Sequence, residues 1–287
     1  MLQRVGAGKR IWTIVGTAVV AAIVLGGCSG AQSSQSQKLS GRVTAVGSTA
    51  LLPLAKVAAE QFMDQNSGVT INVSGGGSFT GLTQVASGAA EVGMSDVYAT
   101  PDLADKNLVD HIVAVAPFLI VVNQDVTVDN LTQDQLTGIF TGKISNWKDV
   151  GGKDEKITII HRAKSSGSRA TITQIVLKGQ EFTDQAVIQD SNGKVRDAIA
   201  TTLGSIGYID AAYLKGALKA LKYNGVAYSK QTLGDGKYPI YAFEHLYTKG
   251  RPTGATKAFL DYVLSQGFQD ANVEKAGFVP TSVVKSK

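Results

Sequence analysis

Three times along this 287-residue chain, an apolar, β-branched run ends in a glycine- or serine-rich turn and a hydroxyl residue opens a helical segment. The junctions are Gly47-Ser48-Thr49, Gly75-Gly76-Gly77-Ser78-Phe79 and Ser165-Ser166-Gly167-Ser168. Strands that alternate with helices build α/β layers around largely parallel sheets, and ligands collect beyond the strands' carboxyl ends. Gly41 to Val46 reads as the first strand. Residues 50–65 then carry Leu51, Leu54, Val57, Ala58 and Phe62 on one helical face. Val69 to Val73 alternates as a strand, 79–87 reads as a helix, and Glu91 to Ser95 as a short strand. A long β-like run from Val109 to Val122 is expected to break at Pro117. In a second set, Thr132 to Gln135 matches a capping box for a helix through Phe140. Ile157 to His161 is a strand, Ser166 to Leu177 and Asn192 to Thr202 are helices, and Ile206 to Ile209 is a strand. A second long run, Pro239 to Tyr247, leads to a helix from about Thr256 to Leu264. Two αβ sets joined by two long strands predict two lobes, crossed near 117–124 and 239–247, with a cleft between them.

The junctions carry chemistry as well as topology. A helix start presents free N–H groups and a partial positive charge. Ser and Thr add hydroxyl donors, and glycine lets the backbone approach a ligand. Such a place suits a tetrahedral oxyanion. Any one junction is equally an ordinary N-cap. Three together favour an anion site, with Arg162 just before the third and Asp96 closing another strand. Arg162 offers a fork that matches two oxyanion oxygens.

The N-terminus changes the meaning of the charge. The chain has 28 Lys and Arg against 23 Asp and Glu, a net of +5, which hints at a polyanionic partner. Arg4, Lys9 and Arg10 precede an apolar stretch, Ile11 to Leu25, too short to span a bilayer but suited to a secretory signal. Removing residues 1–27 leaves 25 cations against 23 acids, a net of +2, and no clustered basic face for nucleic acid. Leu25-Gly26-Gly27-Cys28 resembles a bacterial lipobox, in which peptidase cuts before the Cys and the thiol carries diacylglycerol. Cys28 is the only cysteine, which excludes a disulfide scaffold and a cysteine-rich zinc module. Residues 28–40 read as a flexible tether.

The motifs together give a resemblance. Gly47-Ser48-Thr49-Ala50, Gly77-Ser78, Gly93-Met94-Ser95-Asp96, Gly142-Lys143-Ile144-Ser145-Asn146-Trp147 and the segment Arg162 to Ser168 are similar to the pattern of Pst-type phosphate-binding lipoproteins of bacterial phosphate ABC transporters. The resemblance covers essentially all of residues 41–287. It implies a two-lobed, type II periplasmic-binding-protein-like α/β fold with two crossover strands and an interlobe cleft. Lobe one would be 41–120 plus 242–287, and lobe two 121–241. It implies that Thr49 donates by its hydroxyl, Ala50 by its N–H and Ser78 by both. Asp96 would accept a proton from the ligand and Arg162 would bind two oxygens. Ser166, Gly167 and Ser168 would donate from their helix start, Ser168 standing where the family has Thr. Lys164 departs from the pattern, because many members carry an acid there that orients the arginine. Either another acid holds Arg162, or Lys164 adds positive potential at the cleft rim.

The partners implied are inorganic phosphate, the permease subunits of a phosphate ABC transporter and a lipid anchor. The protein would be a monomer on the outer face of a Gram-positive cytoplasmic membrane, without a cofactor or a metal. Asp96 is what selects phosphate over sulfate or molybdate, since a buried acceptor suits only a ligand that carries a proton. Against an enzyme such as a phosphate-ester hydrolase, Ser145-Asn146-Trp147-Lys148 lacks the companions of an acyl enzyme, and no nucleophile elbow occurs. His111, His161 and His245 lack metal-ligand spacing. Trp147 would be the sole Trp after signal removal and a possible reporter of closure.

Overall fold

The computed structural model describes residues 38–284. The signal segment, Cys28 and the tether as far as residue 37 lie outside the described residues. The first αβ set follows the expected order: β1 (Gly41–Gly47), α1 (Leu52–Gln65), β2 (Val69–Gly75), α2 (Ser78–Ser87) and β3 (Val92–Ser95). α1 starts at Leu52 because Pro53 in the first turn needs no N–H partner. Its apolar stripe buries Leu54, Ala58 and Phe62, and Phe62 meets Phe259 edge-on at 5.7 Å.

β4 (Leu108–Asn123) follows, then β5 (Asn130–Leu131) and α3 (Gln133–Phe140). The predicted capping box is present, with the Thr132 hydroxyl accepting from the Gln135 N–H and the Gln135 side chain accepting from the Thr132 N–H. Next come β6 (Thr158–Arg162), α4 (Gly167–Ile175), β7 (Val187–Gln189), α5 (Asn192–Thr201) and β8 (Ser205–Asp210). β9 (Leu218–Ala220), β10 (Lys222–Tyr223) and α6 (Lys230–Gly234) lead to β11 (Tyr241–Lys249), α7 (Gly254–Leu264) and α8 (Gln266–Asn272).

The main sheet runs β2-β1-β3-β11-β4-β8-β6-β7, with β9 beside β4. It is mixed rather than largely parallel. β1 is parallel to β2 and β3, and β6 to β7 and β8, but β11 and β4 run antiparallel to each other and to their outer neighbours. The long strands cause this, since each must cross and return. β4 does not break at Pro117. Residues 108–117 pair with β11, and from Phe118 the strand pairs with β8. Pro117 sits at the last rung of one ladder, where the strand changes partners and a proline is tolerated. Phe118 donates there to the Ile240 carbonyl at 2.9 Å, so the two crossing segments lie side by side. The result is an α/β, two-lobed fold in which β1, β3, β6 and β8 all bring their carboxyl ends to one seam.

Candidate functional site

Gly47 ends β1 with φ 141°. A Cβ at this position would lie 2.1 Å from the Met94 carbonyl oxygen, so only glycine lets β1 pass β3 here. The chain then turns into Ser48, whose Oγ accepts from the Ala50 N–H at 3.0 Å and the Leu51 N–H at 3.2 Å. The Ala50 N–H therefore has an internal partner as well as its place at the helix start. The Thr49 hydroxyl oxygen accepts from the Asn192 backbone N–H and side-chain amide, each at 3.2 Å, which leaves its own proton to donate. Ser78 opens α2, and its Oγ accepts from the Asp96 N–H at 2.9 Å.

On the other side of the seam, the Ser166 side chain caps α4 by accepting from the Arg169 N–H at 3.2 Å. The N–H groups of Gly167 and Ser168 point out of the first turn of α4, where no intrahelical acceptor exists. The Ser168 hydroxyl donates to Asp96 Oδ2 at 2.7 Å, while Asp96 Oδ1 has no partner among the described residues. Arg162 ends β6 and is 1% exposed. Its Nη2 donates to the Asp190 carbonyl at 3.0 Å, and its Nε and Nη1 have no acceptor among the described residues. Burial lowers its pKa, opposed by the charge of Asp96, but a guanidinium stays protonated regardless.

Thr49, Ala50, Ser78, Asp96, Arg162, Ser166, Gly167 and Ser168 are thus all buried and meet at one seam. The two lobes touch directly across it. The Phe79 N–H donates to the Ser165 carbonyl at 3.1 Å, and a Cβ on Gly167 would lie 2.3 Å from Ser78 Oγ. Lys164 is exposed, and a main-chain carbonyl, that of Asp190, holds the arginine fork.

Four further residues join the site. Asn192 links Thr49 to β8, its Oδ1 accepting from the Asp210 N–H at 3.0 Å. The Tyr213 hydroxyl donates to the Thr49 carbonyl at 2.6 Å. Asp210 and Glu244 are wholly buried acids, and burial pushes both well above the usual carboxylate range, with the charge of Asp96 adding. A signal for Asn192 was present in the sequence, because Asp190-Ser191-Asn192-Gly193 is a fourth strand-to-helix junction of the same kind. Asp210 and Glu244 were visible as acids inside apolar strand runs, where a charge needs a reason.

The other residues singled out lie elsewhere. The His161 ring donates from Nδ1 to the Arg162 carbonyl at 2.9 Å and stacks on Phe182 at 4.5 Å, so it packs lobe two rather than lining the seam. His111 contacts Thr248, and His245 contacts Asp110. The Trp147 indole is 1% exposed and donates to the Gly204 carbonyl, before the start of β8 and at the opposite end from Asp210. Among the described residues no group of His, Cys, Asp and Glu could hold a metal ion.

A family profile described as a PBP superfamily domain matches residues 32–266. The phosphate-binding protein PstS of Bacillus subtilis is 44% identical, over 87% of this chain and 84% of that protein. The PstS of Borreliella burgdorferi is 26% identical, over 81% and 88%. Among solved structures, a putative phosphate ABC transporter substrate-binding protein with bound phosphate, from Clostridium perfringens, superposes with a TM-score of 0.80. It is 28% identical and covers 84% of this chain and 100% of that one. An ABC-type phosphate transport receptor from Vibrio cholerae gives 0.69 at 26% identity, over 83% and 99%.

Proposed function

The chain belongs to the PBP superfamily and, within it, to the Pst-type phosphate-binding proteins, and from this premise we propose that it captures inorganic phosphate at the interlobe seam and delivers it to the permease of a phosphate ABC transporter. It is a binding protein, not an enzyme. One observation carries the choice of ligand. A buried acceptor, Asp96 Oδ1, and two buried donors, Arg162 Nε and Nη1, meet at one seam with the amino end of α4 and lack partners among the described residues. An oxyanion takes up the donors, and the acceptor requires that it carry a proton. Hydrogen phosphate does near neutral pH and sulfate does not. A site built around a specific hydrogen bond rejects an analogue that lacks it by about 10⁴–10⁵.

Thr49, Ala50, Ser78 and Asp96 would hold the ligand from lobe one, and Arg162, Ser166, Gly167 and Ser168 from lobe two. The expected bounds put 41–120 and the segment from 242 onward in lobe one and 121–241 in lobe two. A ligand that touches both favours the closed state by population shift. The hinge is the pair of crossing segments at Pro117–Phe118 and Ile240–Tyr241. The protein acts outside the cytoplasmic membrane. The lipobox-like Cys28 supports a lipid anchor there, and the Bacillus relative is consistent with a Gram-positive envelope. The chain would work as a monomer. Isothermal titration of the ligand-stripped mature chain with phosphate and sulfate tests the reading. Stoichiometric phosphate uptake with sulfate excluded is expected, and equal binding of both anions would overturn it.

A further inference from the structure

Glu244 is fully buried, and neither carboxyl oxygen has a donor among the described residues. Its position is fixed by strand register. β11 is antiparallel to β3 with His245 opposite Ser95, so Glu244 comes next to Asp96. The elements packed on β11 supply few charges. Its partner on β4 is Ala114, and α2 carries no titratable residue. The one ionisable group of α4 is Arg169, which lies over Phe182 and beside Glu181. At the far end of β4, Asp110 is engaged by His245 and His111 contacts Thr248. What faces Glu244 is therefore Asp96 at the end of β3 and Asp210 at the end of β8. Arg162 is the cation that acts on Asp96.

Two acids side by side repel as anions but bond through one shared proton. Burial first, and then the charges of Asp96 and Asp210, favour the proton on Glu244. We propose that Glu244 is a positioning residue of the anion site: its neutral carboxyl group donates to the Asp96 side chain and holds that side chain as an acceptor for the proton on the ligand. Asp96 already takes the Ser168 hydroxyl on Oδ2. Glu244 would fix it from the other lobe-one strand, where lobe closure does not disturb the contact. The proposal rests on the phosphate reading above. It adds that capture requires one proton stored in the protein besides the one on the ligand.

The test is phosphate and sulfate affinity of the mature parent chain, Glu244→Gln and Glu244→Leu. Measurements run between about pH 6 and pH 10, a span that covers documented buried carboxyl groups. The parent should lose affinity at the alkaline end as Glu244 ionises beside Asp96. Glu244→Gln keeps a donor that cannot ionise, so its profile should be flatter by about tenfold over the same span. Glu244→Leu removes the donor and should lower the phosphate-to-sulfate ratio about tenfold, one hydrogen bond's worth, and the Gln variant should rescue it. Thermal melts identify any variant that fails to fold, and the Gln profile alone then decides. Superposable pH profiles for the parent and Glu244→Gln, with phosphate bound by both, would overturn this proposal and leave the phosphate reading intact. A parent that binds no phosphate would overturn both.

Discussion

Gly167→Ala separates closure from folding. Gly167 opens α4 with no positive φ, so alanine fits its backbone. The obstacle lies across the seam. The new Cβ would sit 2.3 Å from Ser78 Oγ, 2.8 Å from Ser78 Cβ and 3.0 Å from Asp96 Cβ. Ordinary contact begins at 3.4 Å, so the seam must give by 3.4 − 2.3 = 1.1 Å at the closest atom. Rotating Ser78 does not help, because its Cβ is also too close and its Oγ is held by the Asp96 N–H. Overpacking of this kind costs about 1–3 kcal/mol. The closed form alone bears that cost, so phosphate affinity should fall by between about fivefold and a little over a hundredfold. The same change shrinks the unfolded ensemble, worth about 0.4–1 kcal/mol in the other direction. The ligand-free protein should therefore melt at the parent temperature or slightly above. Gly193→Ala is the control, since it also lies in the first turn of a helix at a strand end and its Cβ would meet nothing nearer than Tyr213 Cε1 at 3.9 Å. Calorimetric titration and differential scanning calorimetry on the three proteins decide the matter. Parent-like phosphate affinity in Gly167→Ala would refute the closed seam as the binding state.

Asp96→Asn should weaken discrimination against sulfate more than it weakens phosphate binding; an unchanged ratio by calorimetry would count against Asp96 as the acceptor. Arg162→Lys keeps the charge but loses the fork that binds the Asp190 carbonyl while presenting Nε and Nη1. Phosphate affinity should drop about ten- to a hundredfold, the worth of a charged hydrogen bond, and a change under threefold would argue against bidentate use. Glu244 has a folded pKa raised above its unfolded value, so the folded state binds the extra proton and stability declines as pH rises from about 4.5 toward the folded value. Ligand-free Glu244→Gln should accordingly melt above the parent at pH 7 by a margin that disappears near pH 4; a pH-independent margin would contradict the sign. Because Trp147 is buried at the wrong end of β8, phosphate should leave its emission nearly unchanged, which a fluorescence titration checks.

What was legible in the sequence was local. A hydroxyl beside a glycine at a strand end needs only its neighbours to become a helix start, so the three junctions could be read locally, and the family resemblance then named the eight candidate residues. The order of strands and helices was legible for the same reason. Pro117 misled because a proline in a strand is normally an interruption, and only the change of partners from β11 to β8 makes the position tolerant. The mixed sheet depended on where β4 and β11 run, which no periodicity encodes. Asn192 repeats the junction pattern but reaches Thr49 across 143 positions of sequence. Glu244 meets Asp96 only through the register of β11 on β3. The support for Arg162 comes from a main-chain carbonyl, which has no residue type to read.

The charge at the seam is the less expected part. A site for an anion would be built most simply from cations, yet this one buries Asp96 beside Arg162 and adds the buried acids Asp210 and Glu244, both acted on by Asp96. Attraction by net charge cannot be its principle. Neutral forms of Asp210 and Glu244 would remove most of the conflict, and burial with the charge of Asp96 pushes both toward that form. What remains is one cation, helix N–H groups and a single acceptor. Attraction then comes from directed donors, and selection comes from the acceptor, which an unprotonated anion leaves unsatisfied at full desolvation cost. A stronger, all-cationic site would bind sulfate equally well. The buried acids are therefore best understood as the selective half of the site. Replacing two of them, as in a variant carrying Asp96→Asn and Glu244→Gln together, should bring sulfate affinity toward that of phosphate, and sulfate exclusion persisting in that double variant would refute the argument.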